Sequence, residues 1–572
     1  VAPTINKVLF LFLRRMRAPL LALTAAYAIS VLGLVLIPGV DDQGEPWRMD
    51  FFHAFYFVTY MATTIGFGEI PHAFSEAQRM WTVFAVYLSV VAWLYAIGKI
   101  LALIQDPAFR LAVSQHAFDR TIRKLQRPFH IICGYGDTGA LVVRSLLGRN
   151  GFTVVIDQNP DRINELVLED YPLQIPGLCA DASVANRLLE AGLLNPHCQG
   201  VVALTSDDSV NLRIAIAAKL LNPDRPVICR AESHDTEKNM ASFGTDQIIN
   251  PFDIFGQRLT LALHSPAHHL LHEWLGSIPG SPLPMPIDPP CGRWILCGFG
   301  RFGKAVHAGL TQEGVEVTLI DTDPEGADCP PDCIKGRGTE ADTLQQAGIE
   351  SASGIVAGTE RDDYNLSIVM TARELNPDLF MVGRQNHERN SLLFGAADLP
   401  MVMRHDRVIA EAILAHLTSP LLPRFLELSR EQSTEWANER VSAITAVVGD
   451  RVPAIWTEQL DEASAPALLQ HLKHEPVTLG QLLRADHPER QRHACIVLLL
   501  RREGGTPEIP APDDDTPLQP GDHMLFCGRF ASALAISHTL RDEHALRYLL
   551  TGEDSPEGWI CRALRSARGQ TA

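Results

Sequence analysis

The sequence predicts a multidomain chain: an all-α membrane unit of two spanning helices, then two α/β domains on parallel sheets, then a small α+β lobe. Three observations carry this. The first hundred residues contain two uncharged runs of spanning length, the middle of the chain alternates apolar strand-like runs with amphipathic stretches, and that alternation occurs twice. At 572 residues the chain has room for about three or four domains. Lys and Arg total 49 against 67 Asp and Glu, a formal charge of −18, which argues against a nucleic-acid partner, since phosphate binding needs a basic surface. The 11 cysteines are scattered, and Cys133, Cys229, Cys297 and Cys527 stand inside apolar runs, as expected of buried reduced thiols in a cytosol. Cys329 and Cys333, flanked by Pro330 and Pro331, read as loop cysteines.

Ala18 to Ile37 carries no charge and matches the roughly 20 residues a helix needs to cross a bilayer core. Lys7, Arg14, Arg15 and Arg17 precede it and place the N-terminus in the cytoplasm. No small-residue cleavage site follows, and a second span arrives soon after, which disfavours a signal peptide. Asn6 to Leu13 reads as a separate short helix on the inner leaflet. The second span, Met80 to Gly98, has Trp81 near the outer interface and is followed by Lys99, Arg110, Arg120, Arg123, Lys124 and Arg127, again a cytoplasmic mark. Between the spans Asp41, Asp42, Glu45, Asp50, Glu69 and Glu76 face only Arg48 and Arg79, so this segment concentrates cations.

That segment also holds an aromatic run, Phe51 to Met61, leading into Thr63-Thr64-Ile65-Gly66-Phe67-Gly68-Glu69. Carbonyls from a glycine-punctuated loop can replace the hydration shell of a potassium ion, and four copies around an axis make a ring of them. The glycines supply backbone angles that side chains resist, and irregular backbone at membrane depth is tolerated only where it is buried or lines a water-filled path. The loop resembles the selectivity filter of the potassium-channel family, usually Thr-Val-Gly-Tyr-Gly-Asp: Thr64, Ile65, Gly66, Phe67 and Gly68 fall on its first five positions and Glu69 on the sixth. The resemblance implies potassium held by Thr64, Ile65, Gly66 and Phe67, a homotetramer, and a multi-pass protein of the cell inner (plasma) membrane, surrounded by lipid, with both termini cytoplasmic. Phe67 in place of Tyr removes a hydroxyl that could tie the filter to its helix. Relatives bend the inner helix at a glycine past the filter; here the hinge candidates are Ser89 and Gly98, the latter equally readable as a small packing residue. Residues 105–127 form a basic, helix-compatible connector broken at Asp106-Pro107.

From Phe129 onward, His130 to Gly134, Thr153 to Asp157, Gly200 to Thr205 and Val227 to Ala231 read as strands of a parallel sheet. The first turn is Gly134-Tyr135-Gly136-Asp137-Thr138-Gly139, directly after a strand and opening a helix, where glycines let backbone approach a pyrophosphate at the helix N-terminus. Asp157 ends the next strand, about twenty residues on, where an acid bonds ribose hydroxyls. This is a Rossmann-like fingerprint for a nucleotide, NAD or an ADP-like ligand. It recurs: Trp294 to Cys297 leads into Gly298-Phe299-Gly300-Arg301-Phe302-Gly303, Val317 to Asp321 ends in the matching acid, and Arg230 corresponds to Arg384.

The repeated unit resembles the RCK (regulator of potassium conductance) domains of ligand-gated potassium channels. By that resemblance Gly134, Gly136, Gly139, Asp157, Asp181 and Arg230 line a first pocket, and Gly298, Gly300, Gly303, Asp321 and Arg384 a second. Ala180-Asp181-Ala182 in the first copy becomes Gly336-Arg337-Gly338 in the second, so the pockets differ; Arg337 either meets a ligand phosphate or pairs with Glu340. Calcium gating is a further expectation of the family. The resulting division is a pore domain (1–104), a linker (105–127), a first RCK domain (128–277), a linker (278–291), a second RCK domain (292–430), its C-terminal lobe (431–545) and a tail (546–572). Within the lobe, Ala494 to Arg501 and the run after Gly521-Asp522 read as strands.

His268 and His272, four apart on the helix after Pro266, are candidate ligands for a transition metal, against the commoner role of packing. Asp513-Asp514-Asp515 lacks the spaced ligands of a dedicated calcium loop. No catalytic residue is assigned. The competing functions are a membrane-tethered NAD-dependent dehydrogenase, for which no substrate domain is available, and the regulatory subunit of a cation transporter, which leaves the filter unexplained.

Overall fold

The computed structural model describes residues 5–149, 151–277, 279–484, 492–504 and 507–552. The expected tail beyond residue 552 lies outside the described residues, as does Ile278. The chain forms two compact units, Val1–Leu125 and Gln126–Ala572.

The first unit contains α1 (Ile5–Leu36), a small hairpin of β1 (Gly39–Val40) and β2 (Pro46–Trp47), α2 (Phe51–Ala62), α3 (Glu76–Gln105) and α4 (Pro107–Arg123). Segments Phe12–Leu36 of α1 and Glu76–Gln105 are long and apolar enough to cross a membrane. The separate helix expected over Asn6 to Leu13 is not separate: α1 runs unbroken from Ile5, since nothing before Pro19 interrupts its hydrogen bonds. A capping box opens α3, with Ser75 Oγ accepting from the Gln78 N–H at 3.3 Å and Gln78 Oε1 accepting from the Ser75 N–H at 3.1 Å. The helix stops at Asp106, before Pro107, as the dipeptide predicts. Trp81, expected as an interfacial residue, is tied to α1, its indole N–H donating to the Ser30 carbonyl at 3.1 Å. A side chain at Gly33 would fall 1.9 Å from that indole ring, so Gly33 is what lets the two helices cross.

The second unit opens on a parallel sheet. Its first copy comprises β3 (Phe129–Cys133), α5 (Asp137–Gly148), β4 (Thr153–Asp157), α6 (Pro160–Leu168), β5 (Gly177–Cys179), α7 (Ala185–Glu190), β6 (Cys198–Ala203), α8 (Asp208–Leu221), β7 (Val227–Arg230), α9 (His234–Ser242), β8 (Gln247–Ile249), α10 (Pro251–His264) and α11 (Pro266–Gly276). The second copy comprises β9 (Arg293–Cys297), α12 (Arg301–Gln312), β10 (Glu316–Asp321), β11 (Ile334–Lys335), α13 (Ala341–Gln346), β12 (Gly354–Ala357), α14 (Asp362–Leu375), β13 (Phe380–Gln385), α15 (Ser391–Ala396), β14 (Met401–Arg404), α16 (His405–Thr418) and α17 (Leu421–Arg430). The strand orders are β5-β4-β3-β6-β7-β8 and β11-β10-β9-β12-β13-β14, the doubly wound order whose ligand crevice lies where the winding reverses, beyond the first strand.

Neither copy closes its own core. Ile409, Ala410, Ile413 and Leu414 of α16 join the first copy's core beside Val142 and Leu146. Reciprocally, Phe252, Phe255 and Leu259 of α10 join the second copy's core beside Phe302 and Val306. Each apolar sheet face is therefore covered by a helix from the other copy, and burial at about 25 cal/mol per Å² favours the exchange over two separate domains with bare faces.

The remainder is α18 (Thr434–Val448), β15 (Ala454–Gln459), α19 (Pro466–Leu472), α20 (Leu479–Leu482), β16 (Cys495–Arg501), β17 (Glu508–Pro510), β18 (His523–Gly528), α21 (Phe530–Arg541) and α22 (Glu543–Thr551). Its antiparallel sheet, β15-β18-β16-β17, holds the expected strands. Leu498, Leu499 and Leu525 pack on Leu271 and Trp274 of α11 as well as on Leu421 and Phe425 of α17, so the lobe rests on both copies.

Candidate functional site

The filter loop leaves α2, whose N-cap Asp50 accepts from the His53 N–H at 2.8 Å. Thr64, Gly66 and Gly68 have φ of 61°, 64° and 72°, while Ile65 and Phe67 between them do not. Alternation of left-handed with ordinary backbone turns successive carbonyls to one side. A Cβ at Gly66 or Gly68 would meet nothing within 4 Å, so backbone conformation, not space, selects glycine there. Thr64 takes a strained angle for a side-chain-bearing residue. The Ile65 and Gly66 N–H groups both donate to the Tyr60 carbonyl, at 3.0 and 3.2 Å. The Tyr60 hydroxyl donates to the Glu69 carbonyl at 2.8 Å, and the Tyr56 hydroxyl to Glu69 Oε2 at 3.1 Å. The hydroxyl that Phe67 lacks is thus replaced from α2: the tyrosines on the helix hold the far end of the loop, with Phe67 set edge-on to Tyr60 at 6.1 Å. α3 is continuous through both hinge candidates; Ser89 is fully buried, its hydroxyl without a hydrogen bond among the described residues, and Gly98 has nothing within 4 Å of a Cβ.

In the second unit a cleft of about 790 Å³ opens at the first glycine loop. Gly134, Gly136, Asp137, Thr138, Asp157, Asp181 and Arg230 line it. Gly139 serves packing, because a Cβ on it would lie 2.2 Å from the Gly134 carbonyl oxygen. Tyr135 is buried, its hydroxyl 2.8 Å from that of Tyr171. Asp157 Oδ2 accepts from the Tyr135 N–H at 2.6 Å and Oδ1 from the Asn159 N–H at 2.7 Å, so the acid shapes the crevice while remaining on its wall. Asp181 is held below the usual carboxylate range by hydrogen bonds from Ser183, with Arg213 adding to the effect.

Arg384, assigned by sequence to the second pocket, belongs to this first cleft, and so does Arg301 of the second glycine loop. Arg301 and Arg384 line it, together with Glu360, Asn386, His405 and Asp406 of the second copy. Glu232, not foreseen, joins the two copies here: it accepts from Arg230 and from His405 Nε2 at 3.2 Å, and Arg301 Nη2 stands 3.0 Å away. Burial opposes its charge, but the bonds from His405 and Arg230 outweigh it and bring the carboxyl down to about 2. Arg384 is pushed down to about 10, mainly by burial, partly offset by Glu360 and Glu232. The only sequence signal for this sharing was the repeat itself, which did not say that the copies face each other.

The second loop differs. Phe302 is a core residue rather than a ligand contact, packed against Phe252 and Phe255. Asp321 Oδ2 accepts from the Phe299 N–H at 2.7 Å, repeating Asp157. Gly300 has open space at its α-carbon, and Gly303 abuts the Gly298 carbonyl. Arg337 is exposed, and among the described residues it makes no ion pair, with Glu340 or any other; Glu340 accepts from the Thr343 hydroxyl at 3.5 Å.

His268 and His272 are buried packing residues, bonded to the Ser265 and Ser429 hydroxyls at 2.8 and 3.1 Å, and among the described residues they join no third potential ligand; burial at the helix junction overrides the i, i+4 spacing. Among the described residues the one set of three potential ligands is His234, Glu237 and Asp253, whose donor atoms lie within 4.8 Å of one another. Asp514 is engaged by Arg492 at 2.6 and 2.7 Å.

Residues 20–106 match the ion channel family, and residues 130–251 and 294–405 each match the TrkA-N domain. Potassium channel protein 1 of Methanocaldococcus jannaschii is 27% identical over 248 residues, 43% of this chain and 72% of its own. Probable potassium channel protein 2 of the same organism is 28% identical over 240 residues, 42% and 64% of the two chains. An uncharacterized protein of Methanothermus fervidus is 27% identical over 241 residues, 42% of this chain and 37% of that one. The chain thus spans between about a third and three quarters of these relatives. Among solved structures, the GsuK channel bound to NAD aligns over 94% of this chain and all of its own at 18% identity and a TM-score of 0.45, and GsuK bound to ADP over 72% and 98% at 21% and 0.43. A pore-type membrane unit and a duplicated nucleotide fold define an ion channel with TrkA-N domains, not an enzyme. The chain belongs to the potassium channels in which an ion-channel pore is joined to two TrkA-N, or RCK, domains.

Proposed function

We propose that this protein is a potassium-selective channel of the cell inner membrane, a homotetramer with both termini cytoplasmic, gated by a nucleotide such as NAD or ADP bound to its RCK domains. The observation that carries the reading is the alternation of left-handed backbone at Thr64, Gly66 and Gly68, braced by Tyr60. One chain supplies one filter strand, so a closed ring of carbonyls needs fourfold symmetry. The apolar faces that α2 and α3 leave bare, with Phe52 70%, Tyr87 70% and Leu94 65% exposed, suit neighbouring subunits and lipid. Thr64 to Phe67 would hold the ions. Eight RCK domains, two per subunit, would act on the inner helices through residues 105–127, and a ligand would shift the gate by its differential affinity for the open and closed shapes. GsuK, solved with NAD and with ADP, supports nucleotide as the ligand class. Calcium is a second candidate ligand.

The test is rubidium uptake into liposomes holding the purified protein, with NAD, ADP and calcium varied in turn. Uptake that a nucleotide changes, and that Gly66→Asp abolishes in a protein of normal assembly, is expected. Uptake persisting unchanged in Gly66→Asp overturns the pore assignment.

A further inference from the structure

The two copies place matching residues at their glycine loops but give them opposite chemistry. Thr138 corresponds to Phe302, Asp406 to Phe252 and Glu232 to Asn386. At the first loop Thr138 Oγ1 donates to Asp406 Oδ1 at 2.7 Å, leaving a polar floor beside the N-terminus of α5. At the second, Phe302 and Phe252 meet at a centroid distance of 6.1 Å, and the Arg384 guanidinium lies over both rings at 5.3 and 4.9 Å. An edge-to-face Phe252–Phe302 pair capped by the Arg384 guanidinium thus occupies the second copy where the first has its polar floor.

The arginine in that layer opens the other way. Arg384 is 9% exposed, its Nε has no partner among the described residues, and it lines the first cleft beside Arg301. Among the same residues Arg230 Nε is also without a partner. Three guanidinium groups from two copies therefore converge on one space, and the anion now holding two of them is Glu232. Guanidinium forks bind phosphate bidentately, and a terminal phosphate carries close to two charges against the one of a carboxylate.

We propose that each chain binds one nucleotide rather than two, across the copies: the first glycine loop takes the inner phosphate, and a terminal phosphate displaces Glu232 from Arg230 and Arg301 and reaches Arg384. The ligand class is a nucleoside diphosphate or triphosphate. A dinucleotide has only a bridged pyrophosphate, which sits on the loop and leaves the Glu232 clamp closed. This rests on the nucleotide-gating reading above and assigns its ligand and stoichiometry. No covalent change is involved, and ligand entry ties the two copies together through the second copy's arginines.

Calorimetric titration of the purified full-length channel with ADP and with NAD tests it. Expected are one ADP per chain and ADP tighter than NAD by about tenfold or more, the gain of a second bidentate contact. Glu232→Gln is expected to tighten ADP by about tenfold while moving NAD less than about threefold, and Arg384→Met to weaken ADP by about tenfold. Two ADP per chain, NAD as tight as ADP, or weaker ADP binding in Glu232→Gln overturns the proposal while leaving nucleotide gating intact. Binding of neither ligand sinks both. The stoichiometry and the ADP-to-NAD ratio are read on the unaltered protein, so misfolding of a variant does not shelter the idea.

Discussion

Gly136 and Gly139 stand three residues apart in one loop, yet substitution to alanine should damage the protein in opposite ways. A Cβ at Gly139 would lie 2.2 Å from the Gly134 carbonyl oxygen, more than about 1 Å inside normal contact. The obstacle is backbone, so no rotamer change relieves it, and α5 must lift off β3. Overpacking of this kind costs about 1–3 kcal/mol, enough to lower the melting temperature of the RCK unit by several degrees. Gly136 has φ of −82° and nothing within 4 Å of a Cβ. Gly136→Ala should therefore fold with wild-type stability or slightly above it, while its methyl blocks the backbone approach on which pyrophosphate binding depends. Differential scanning fluorimetry and nucleotide titration on the same preparations separate the two effects: Gly139→Ala melts early, Gly136→Ala melts normally and loses nucleotide by about tenfold or more. Gly303→Ala, 2.0 Å from the Gly298 carbonyl oxygen, should melt early too. Wild-type melting in Gly139→Ala, or wild-type nucleotide affinity in Gly136→Ala, refutes the division of labour.

Acid should destabilise the RCK unit through His272, whose pKa is pushed down to about 3 by burial, with Arg430 and Arg258 adding to it. A depressed histidine contributes stability that is complete above its unfolded pKa, near 6.5, and is lost as pH falls toward the folded value; at pH 5 the loss is about 2 kcal/mol. His272→Gln should flatten the melting profile between pH 5 and 6.5, and parallel profiles would exclude His272 as the cause. In the membrane unit, Tyr60→Phe removes the bond to the Glu69 carbonyl, worth about 1 kcal/mol per subunit, so rubidium uptake should decay faster, whereas Tyr56→Phe, losing a solvent-exposed bond, should do less; equal behaviour of the two contradicts a bracing role for Tyr60.

Much of this was legible in the residues. The spans follow from uncharged length, the filter glycines from their spacing, and the parallel sheets from strand-turn-helix runs ending in Asp157 and Asp321, because each is a local demand of backbone or solvent. What local pattern could not convey is which surface covers which. The exchange of α10 and α16 between cores depends on contacts between segments distant in sequence, Phe252 with Phe302 and Ile409 with Val142, and it moves Arg301 and Arg384 into the first cleft and sets Glu232 between Arg230, Arg301 and His405. The same long-range packing buries His272 against Ser429, while His268 turns to the neighbouring Ser265. Trp81 reads as an interfacial residue until Gly33 is seen beneath it. Thr64 reads as an ordinary β-branched residue, and its left-handed angle just past α2 shows only in the structure.

The most direct test of the central claim is the reversal potential of the reconstituted protein in a planar bilayer, with potassium on one side and sodium on the other. A ring of peptide oxygens set by Thr64 to Gly68 predicts a potential close to that of a potassium electrode, collapsing to a non-selective value or to no current in Gly66→Asp. A reversal potential near zero in the unaltered protein, with current present, would contradict it.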